Sequence, residues 1–240
     1  MDMEVLRFLG VWKRFAGNEV LRGLDFSVHQ GEFFALVGAN GQGKTTLIKG
    51  LLDFIRIDAG SIFIHGQDHR QTRARAGLAY LPERFVPPWF LTGGEFLRYV
   101  TRLHRQFFDK DRVNQILTDL DLDSAVLDLQ VRACSKGMTQ KLGLAGAFLS
   151  GRKLLILDEP MSGLDPKARV LLKRRLFQFR EGGGTLFFST HLLADVAELC
   201  DRMAILHHGS LRFQGSPTVC RADYPGNTLE ESFIRCIDAP

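Results

Sequence analysis

Residues 38–46 read Gly-Ala-Asn-Gly-Gln-Gly-Lys-Thr-Thr, the pattern G-x-x-x-x-G-K-[ST], directly after the apolar run Phe33-Phe34-Ala35-Leu36-Val37. That spacing suits a phosphate. Gly38, Gly41 and Gly43 are expected to let the backbone take positive φ and carry its N–H groups up to an anion, because no Cβ stands in the way. Lys44 stands where an ammonium reaches terminal phosphates, and Thr45 where a hydroxyl ligates Mg²⁺. A helix starting at this point turns the positive end of its dipole toward the same charge. The competing explanation, a glycine-rich turn with an incidental lysine, fits the strand–loop–helix context poorly.

A second centre lies at 153–160, Lys-Leu-Leu-Ile-Leu-Asp-Glu-Pro. An apolar run of this kind reads as a buried parallel strand, and functional groups gather at the carboxyl ends of such strands. Asp158 is then placed to hold Mg²⁺ through water, and Glu159 to polarise an attacking water. The run from Thr185 to Ser189 is a further buried strand, ending in Thr190-His191. A lone histidine is more often structural, but the end of a core strand favours a place in the site.

These groups need a scaffold, and 240 residues suffice for one core carrying an inserted subdomain. Hydrophobic residues at 45% and charged residues at 24% are ordinary for a globular chain, which excludes disorder. A net charge of +4 is too mild to indicate nucleic acid or an anionic membrane surface. The basic runs Arg70 to Arg75 and Lys173-Arg174-Arg175 are expected to be solvated faces. Cys134, Cys200, Cys220 and Cys236 show no CxxC spacing, so free thiols in a reducing compartment are expected rather than zinc or disulfides. The acidic start Met-Asp-Met-Glu-Val is unlike a signal peptide, and no stretch approaches the ~20 apolar residues of a membrane span.

Along the chain, Leu6 to Leu9 and Leu24 to Val28 read as short strands joined through residues 12–19, an antiparallel β edge. Phe15 in that connection is placed either to stack on a base or to fill the core. A helix from Thr45 to Leu52 and strands at Ser61–Ile64 and Leu78–Leu81 continue a β, α, β order. From Pro82 to Leu149 the pattern turns helical. Thr92 to Glu95 forms a capping box ahead of one helix, Asp109 precedes a second, and a third runs from about Ser135 to Leu149. The expected architecture is α/β: a mostly parallel sheet in a core of residues 1–82 and 150–240, with a helical subdomain at 83–149. Residues 203–206 and 211–214 flank a hairpin, and Thr228 caps a short terminal helix.

Taken together, these motifs resemble the ATP-binding subunit of an ABC transporter over nearly the whole chain. Gly38, Ala39, Asn40, Gly41, Gln42, Gly43, Lys44, Thr45 and Thr46 are similar to the family's Walker A motif. Leu154 to Glu159 resemble Walker B with its catalytic glutamate, Ser162 to Asp165 the D-loop, and His191 the switch histidine. Cys134-Ser135-Lys136-Gly137-Met138-Thr139-Gln140-Lys141 resembles the signature written LSGGQ, in a form similar to the ABC-2 type exporter branch. The resemblance implies a P-loop NTPase fold, ATP and Mg²⁺ as cofactors, and a catalytic pair of Glu159 and His191. It implies metal contacts from Thr45, Asp158 and Glu83, the last standing where the phosphate-sensing loop usually carries glutamine. It also implies that Phe15 stacks on adenine. A head-to-tail dimer of ATP-binding subunits would follow, with Ser135, Gly137, Met138 and Asp165 of one chain reaching the ATP held by the other.

The function so implied is ATP hydrolysis that powers transport, in the export direction, through separate membrane permease subunits at the cytoplasmic face of the cell membrane. No nucleic-acid partner is expected. The alternative is a soluble ABC-type ATPase acting on nucleic acid or ribosomes, which would usually bring coiled-coil insertions or tandem cassettes. A P-loop phosphotransferase is a further rival, disfavoured by a water-activating Glu159. The stretch Arg84 to Phe90 sets three aromatic rings beside two prolines. It is either core for the helical part or, as the family resemblance implies, part of the groove that receives a helix of the membrane subunit.

Overall fold

The computed structural model describes residues 3–239. Strands β1 (Glu4–Phe15) and β2 (Asn18–His29) pair antiparallel around the two-residue turn Ala16-Gly17. Both turn residues have positive φ, 46° and 86°, the conformation whose twist matches that of the flanking strands. The strands therefore run beyond the apolar stretches that announce them. Residues 12–19, expected as a connection, are the closing end of the hairpin, held by cross-strand pairs such as Arg14 with Glu19 at 2.5 Å.

The phosphate-loop strand β3 (Phe33–Val37) leads into helix α1 (Lys44–Leu51). The next strand, β4 (Ala59–Ile64), does not return to the same sheet. It pairs with β1, and with β5 (Gln67–Asp68) it completes a four-stranded antiparallel sheet of order β2-β1-β4-β5. After the single-turn helix α2 (Thr72–Arg75), β6 (Leu78–Leu81) rejoins β3's sheet. That sheet gains β7 (Leu154–Asp158), β8 (Thr185–Thr190), β9 (Arg202–His207) and β10 (Ser210–Gly215), in the order β10-β9-β3-β8-β7-β6. All neighbours are parallel except β10, which closes one edge antiparallel to β9.

Alternate residues of β3 serve two cores, as the two-residue period of a strand requires. Phe34 and Leu36 face the antiparallel sheet, where Phe8, Phe26, Phe34 and Phe187 interlock with ring centroids 4.3 Å (Phe8–Phe26) and 5.3 Å (Phe26–Phe34) apart. Phe33, Ala35 and Val37 face a second core formed with the helices. Those helices are α3 (Gly93–Leu103), α4 (Lys110–Asp119), α5 (Lys136–Leu149) and α6 (Pro166–Glu181). Shorter ones follow: α7 (Leu193–Leu199), α8 (Pro217–Asp223) and α9 (Leu229–Asp238). Most are started by a side chain accepting a first-turn N–H: Thr92 with its full capping box, Asp109, Ser135, Asp165 and Thr228.

The aromatic loop before α3 is divided. Phe85 turns inward, edge-on to Phe96 at 5.5 Å, whereas Trp89 and Phe90 stay 61% and 58% exposed. The basic side chains of the two runs are exposed or partly exposed, as expected, and are also ion-paired: Arg70 with Asp68, Lys173 with Asp195 and Glu198, Arg175 with Asp119. All four cysteines are free, and burial pushes the Cys220 thiol up to about 11. Among the described residues no helix is long and apolar enough to cross a membrane.

Candidate active site

The phosphate loop connects a buried strand to a helix whose N-cap is Gly43, left-handed at φ 104° and unable to offer a side-chain acceptor. The first N–H groups of α1 are therefore left for an external anion. They face a cavity of about 340 Å³ walled by residues 39–46, Glu83 and Glu159. Gly41 and Gly43 take positive φ as expected, but Gly38 does not. Gly38 is required for room instead, since a Cβ there would lie 2.5 Å from the carbonyl oxygen of Leu206 on β9. Gly43 is pinned twice, by its φ and by the Val20 carbonyl 2.9 Å from where a Cβ would sit. The loop is thus held between β2 and the β9–β10 turn, where Gln42 Oε1 also accepts the His208 N–H at 2.6 Å.

Lys44 lies folded across the loop. Its Nζ donates to the carbonyls of Gly38 at 2.6 Å and Ala39 at 3.2 Å, and it pairs with Glu159 Oε1 at 3.2 Å. Both side chains of that pair are 6% exposed. Thr45 and Thr46 line the cavity beside it.

Asp158 and Glu159 end β7 as the pattern indicates, next to β8. Asp158 is buried, and its Oδ2 makes no hydrogen bond. Burial pushes its carboxyl above the usual range, while the Ser189 and Thr45 hydroxyls pull it back and the charges of Glu83 and Glu159 push it further up. Tyr80 is raised too, by burial first and then by the charges of Asp158 and Glu83, so the carboxyl groups of Asp158, Glu83 and Glu159 gather at one end of the sheet. Glu159 adopts a left-handed φ of 49°, uncommon for a residue with a side chain. Its N–H donates to Ser189 O at 3.2 Å and to Ser189 Oγ at 3.0 Å. Its Oε2 lies 2.9 Å from His191 Nδ1, so Lys44 and His191 each hold one oxygen of the same carboxylate.

The remaining expected site residues lie elsewhere. Phe15 sits at the β1–β2 hairpin tip, 45% exposed, with Lys13 Nζ 4.9 Å from its ring centroid. That exposure rules out the core alternative, and the ring is not part of the cavity wall. Ser135 caps α5, its Oγ accepting the Met138 N–H at 3.2 Å, and Gly137 and Met138 form the helix's first turn. Asp165 caps α6 through Ala168 N–H at 3.0 Å, which holds its carboxyl below the usual range. None of these four lines the phosphate cavity of its own chain. A separate groove of about 560 Å³ lies between Glu83–Val86 and the start of α5.

The sequence reading missed Ser189, the hydroxyl that touches both Asp158 and Glu159, and gave no role of its own to Gln140 of the signature stretch, whose Nε2 donates to the Pro160 carbonyl at 3.3 Å. A polar residue in the apolar run 185–189 was the available signal for the first.

Residues 21–162 match the family model described as ABC transporter. An uncharacterized ABC transporter ATP-binding protein of Synechocystis sp. (strain ATCC 27184 / PCC 6803 / Kazusa) is 43% identical over 82% of this chain. The chain spans only 57% of that relative's length. Nod factor export ATP-binding protein I of Rhizobium sp. (strain N33) is 34% identical, covering 97% of this chain and 78% of its own. A solved structure, described as the ATP binding subunit of an ABC transporter, superposes with a TM-score of 0.84 at 30% identity, covering 97% of this chain and 99% of its own. With the phosphate cavity, the strand-end carboxylates and these matches in agreement, the chain belongs to the ABC transporter family, among its ATP-binding proteins.

Proposed function

We propose that the chain is the ATP-binding and ATP-hydrolysing subunit of an exporter, powering separate membrane-spanning subunits. The observation that carries this is the meeting, at one cavity, of an uncapped helix N-terminus with Lys44 and of a buried strand end with Asp158 and Glu159. The first pair holds phosphates and the second handles metal and water. The loop N–H groups and Lys44 receive the phosphates. Glu159 takes the proton of a water that attacks the γ-phosphorus, ADP leaves as the P–O bond breaks, and His191 fixes the carboxylate that does so. The export direction rests on the signature form and on the name of the Rhizobium relative.

Mg²⁺ fits the residues present. Asp158 offers a buried, unpartnered Oδ2, with the Thr45 hydroxyl and the Glu83 carboxylate close to it. Bound there, Mg²⁺ would neutralise phosphate charge.

Ser135, Gly137, Met138 and Asp165 lie outside their own chain's cavity, which supports a head-to-tail pairing with a second ATP-binding subunit. In that pairing Phe15 would stack on adenine, and residues 83–149 would form the helical subdomain beside the core of 1–82 and 150–240. Attachment to the cytoplasmic face of the membrane would be peripheral, through the permease subunits. Phosphate release from ATP and Mg²⁺ without any acceptor, together with co-purification with an integral membrane protein, tests the whole reading. Acceptor-dependent turnover or capture of nucleic acid alone would refute it.

The exposed half of the aromatic loop is assigned to the membrane partner. Trp89 meets Phe90 edge-on at 5.7 Å, and the Arg132 guanidinium lies 5.9 Å from its ring, so little of the fold depends on it. Trp89→Ala is expected to leave the melting temperature and basal ATPase of the isolated subunit nearly unchanged. Partner affinity should fall roughly thirtyfold, about 2 kcal/mol, as for a tryptophan at the centre of an interface. Thermal unfolding beside a pull-down with the membrane subunit checks this, and a large drop in melting temperature with binding intact would place Trp89 in the core.

A further inference from the structure

We infer that Ser189 is a positioning residue for both carboxylates of the site, its one hydroxyl setting the Asp158 side chain and the Glu159 backbone at once. This inference rests on the hydrolytic reading above. The Ser189 Oγ–H donates to Asp158 Oδ1, and the same oxygen accepts the Glu159 N–H at 3.0 Å. Ser189 is fully buried on β8, opposite Leu36 of β3 on one side and Asp158 of β7 on the other. It therefore bridges the strand that feeds the phosphate loop and the strand that bears the carboxylates.

Two features set it apart from an ordinary satisfied serine. First, its donor goes to one carboxylate oxygen only, while Asp158 Oδ2 has no partner. The bond to Oδ1 fixes the rotation of the carboxylate and so aims Oδ2. Second, its acceptor takes the N–H of a residue in the left-handed region, where a side chain costs conformational energy that surrounding bonds must offset. The other two hydroxyls of the strand accept N–H groups away from the carboxylates: Thr185 that of Gly31, in the turn before β3, at 2.9 Å, and Thr190 that of Leu192 at 3.0 Å. Only Ser189 is committed to the two acidic residues. Without the hydroxyl, Asp158 Oδ1 loses its hydrogen bond, and the Glu159 N–H keeps only the Ser189 carbonyl at 3.2 Å.

Partners that orient a metal-ligating group commonly cost roughly 10–100-fold in metal affinity or activity when removed. Ser189→Ala is therefore expected to weaken Mn²⁺ binding to the ADP-loaded full chain about tenfold, read by isothermal titration, while ADP affinity without metal stays within about twofold. With saturating metal, kcat for ATP should fall about tenfold or more and KM should change little. Ser189→Thr, which restores a hydroxyl on the same Cβ, should recover most of the loss. If Ser189→Ala does not fold, Ser189→Cys, of similar volume but a poor donor, should show the same weakening of Mn²⁺. Unchanged Mn²⁺ affinity and kcat in a folded Ala or Cys variant would overturn the inference and leave Ser189 a structural residue. A wild type that binds Mn²⁺ and ADP but releases no phosphate would instead sink the hydrolytic reading, and the Mn²⁺ titration would still decide Ser189.

Discussion

Glu159→Gln is expected to lower kcat roughly 10²–10⁴-fold while leaving ATP binding intact, the usual share of a positioned general base. The amide keeps the shape of the side chain but cannot take the proton of the attacking water. The residue's backbone is fixed independently of its side chain, through the N–H bonds to Ser189, so the substitution should not disturb the β7 end. Because hydrolysis is blocked and phosphate binding is not, the variant should accumulate as an ATP-bound dimer in the presence of Mg²⁺. Steady-state phosphate release and size exclusion with and without ATP check both parts. An ATPase rate equal to that of the wild type would remove Glu159 from the proposed chemistry.

Lys44→Ala should produce two separable lesions. The first is loss of phosphate binding, since Lys44 is the cation that lines the phosphate cavity. The second appears without nucleotide. In the resting protein Lys44 pairs with Glu159, with both side chains almost wholly removed from water, and deleting Lys44 leaves a buried carboxylate held only by His191. Breaking such a pair typically costs ~3–5 kcal/mol, which for a chain of this size corresponds to roughly 6–20 °C in melting temperature. The double variant Lys44→Ala/Glu159→Gln removes the stranded charge and should recover most of the melting temperature, yet still fail to bind ATP. Thermal unfolding of the two single variants and the double variant, beside nucleotide titration, separates the effects. A Lys44→Ala protein as stable as the wild type would mean that the ion pair carries no weight in the empty state.

Local features were legible from the sequence because their causes are local. Thr92 and Glu95 satisfy one another across three residues, and Ser135 and Thr228 accept the N–H groups of Met138 and Glu231 at the same spacing, so the chain announces each cap where it stands. The phosphate loop is likewise contiguous, and the apolar run 154–157 leads straight to Asp158 and Glu159 because a strand buried on both faces must emerge at its end. Features that depend on the pairing of distant strands were not legible. β4 leaves the β, α, β order to pair with β1, and the β1–β2 hairpin is longer than its apolar residues suggest. Gly38 is required by Leu206, a contact made only once β9 lies beside β3.

The sequence by itself determined the chemistry on offer: a phosphate loop, a buried acidic strand end, a histidine at the end of another strand and a capped signature helix. The sheet order decided how those parts meet. β8 lies between β3 and β7, so Ser189 and His191 reach Asp158 and Glu159 across more than thirty residues of chain. Which strands neighbour one another is settled by the joint burial of two cores, on opposite faces of one sheet, and residue spacing along a single segment carries no information about that choice.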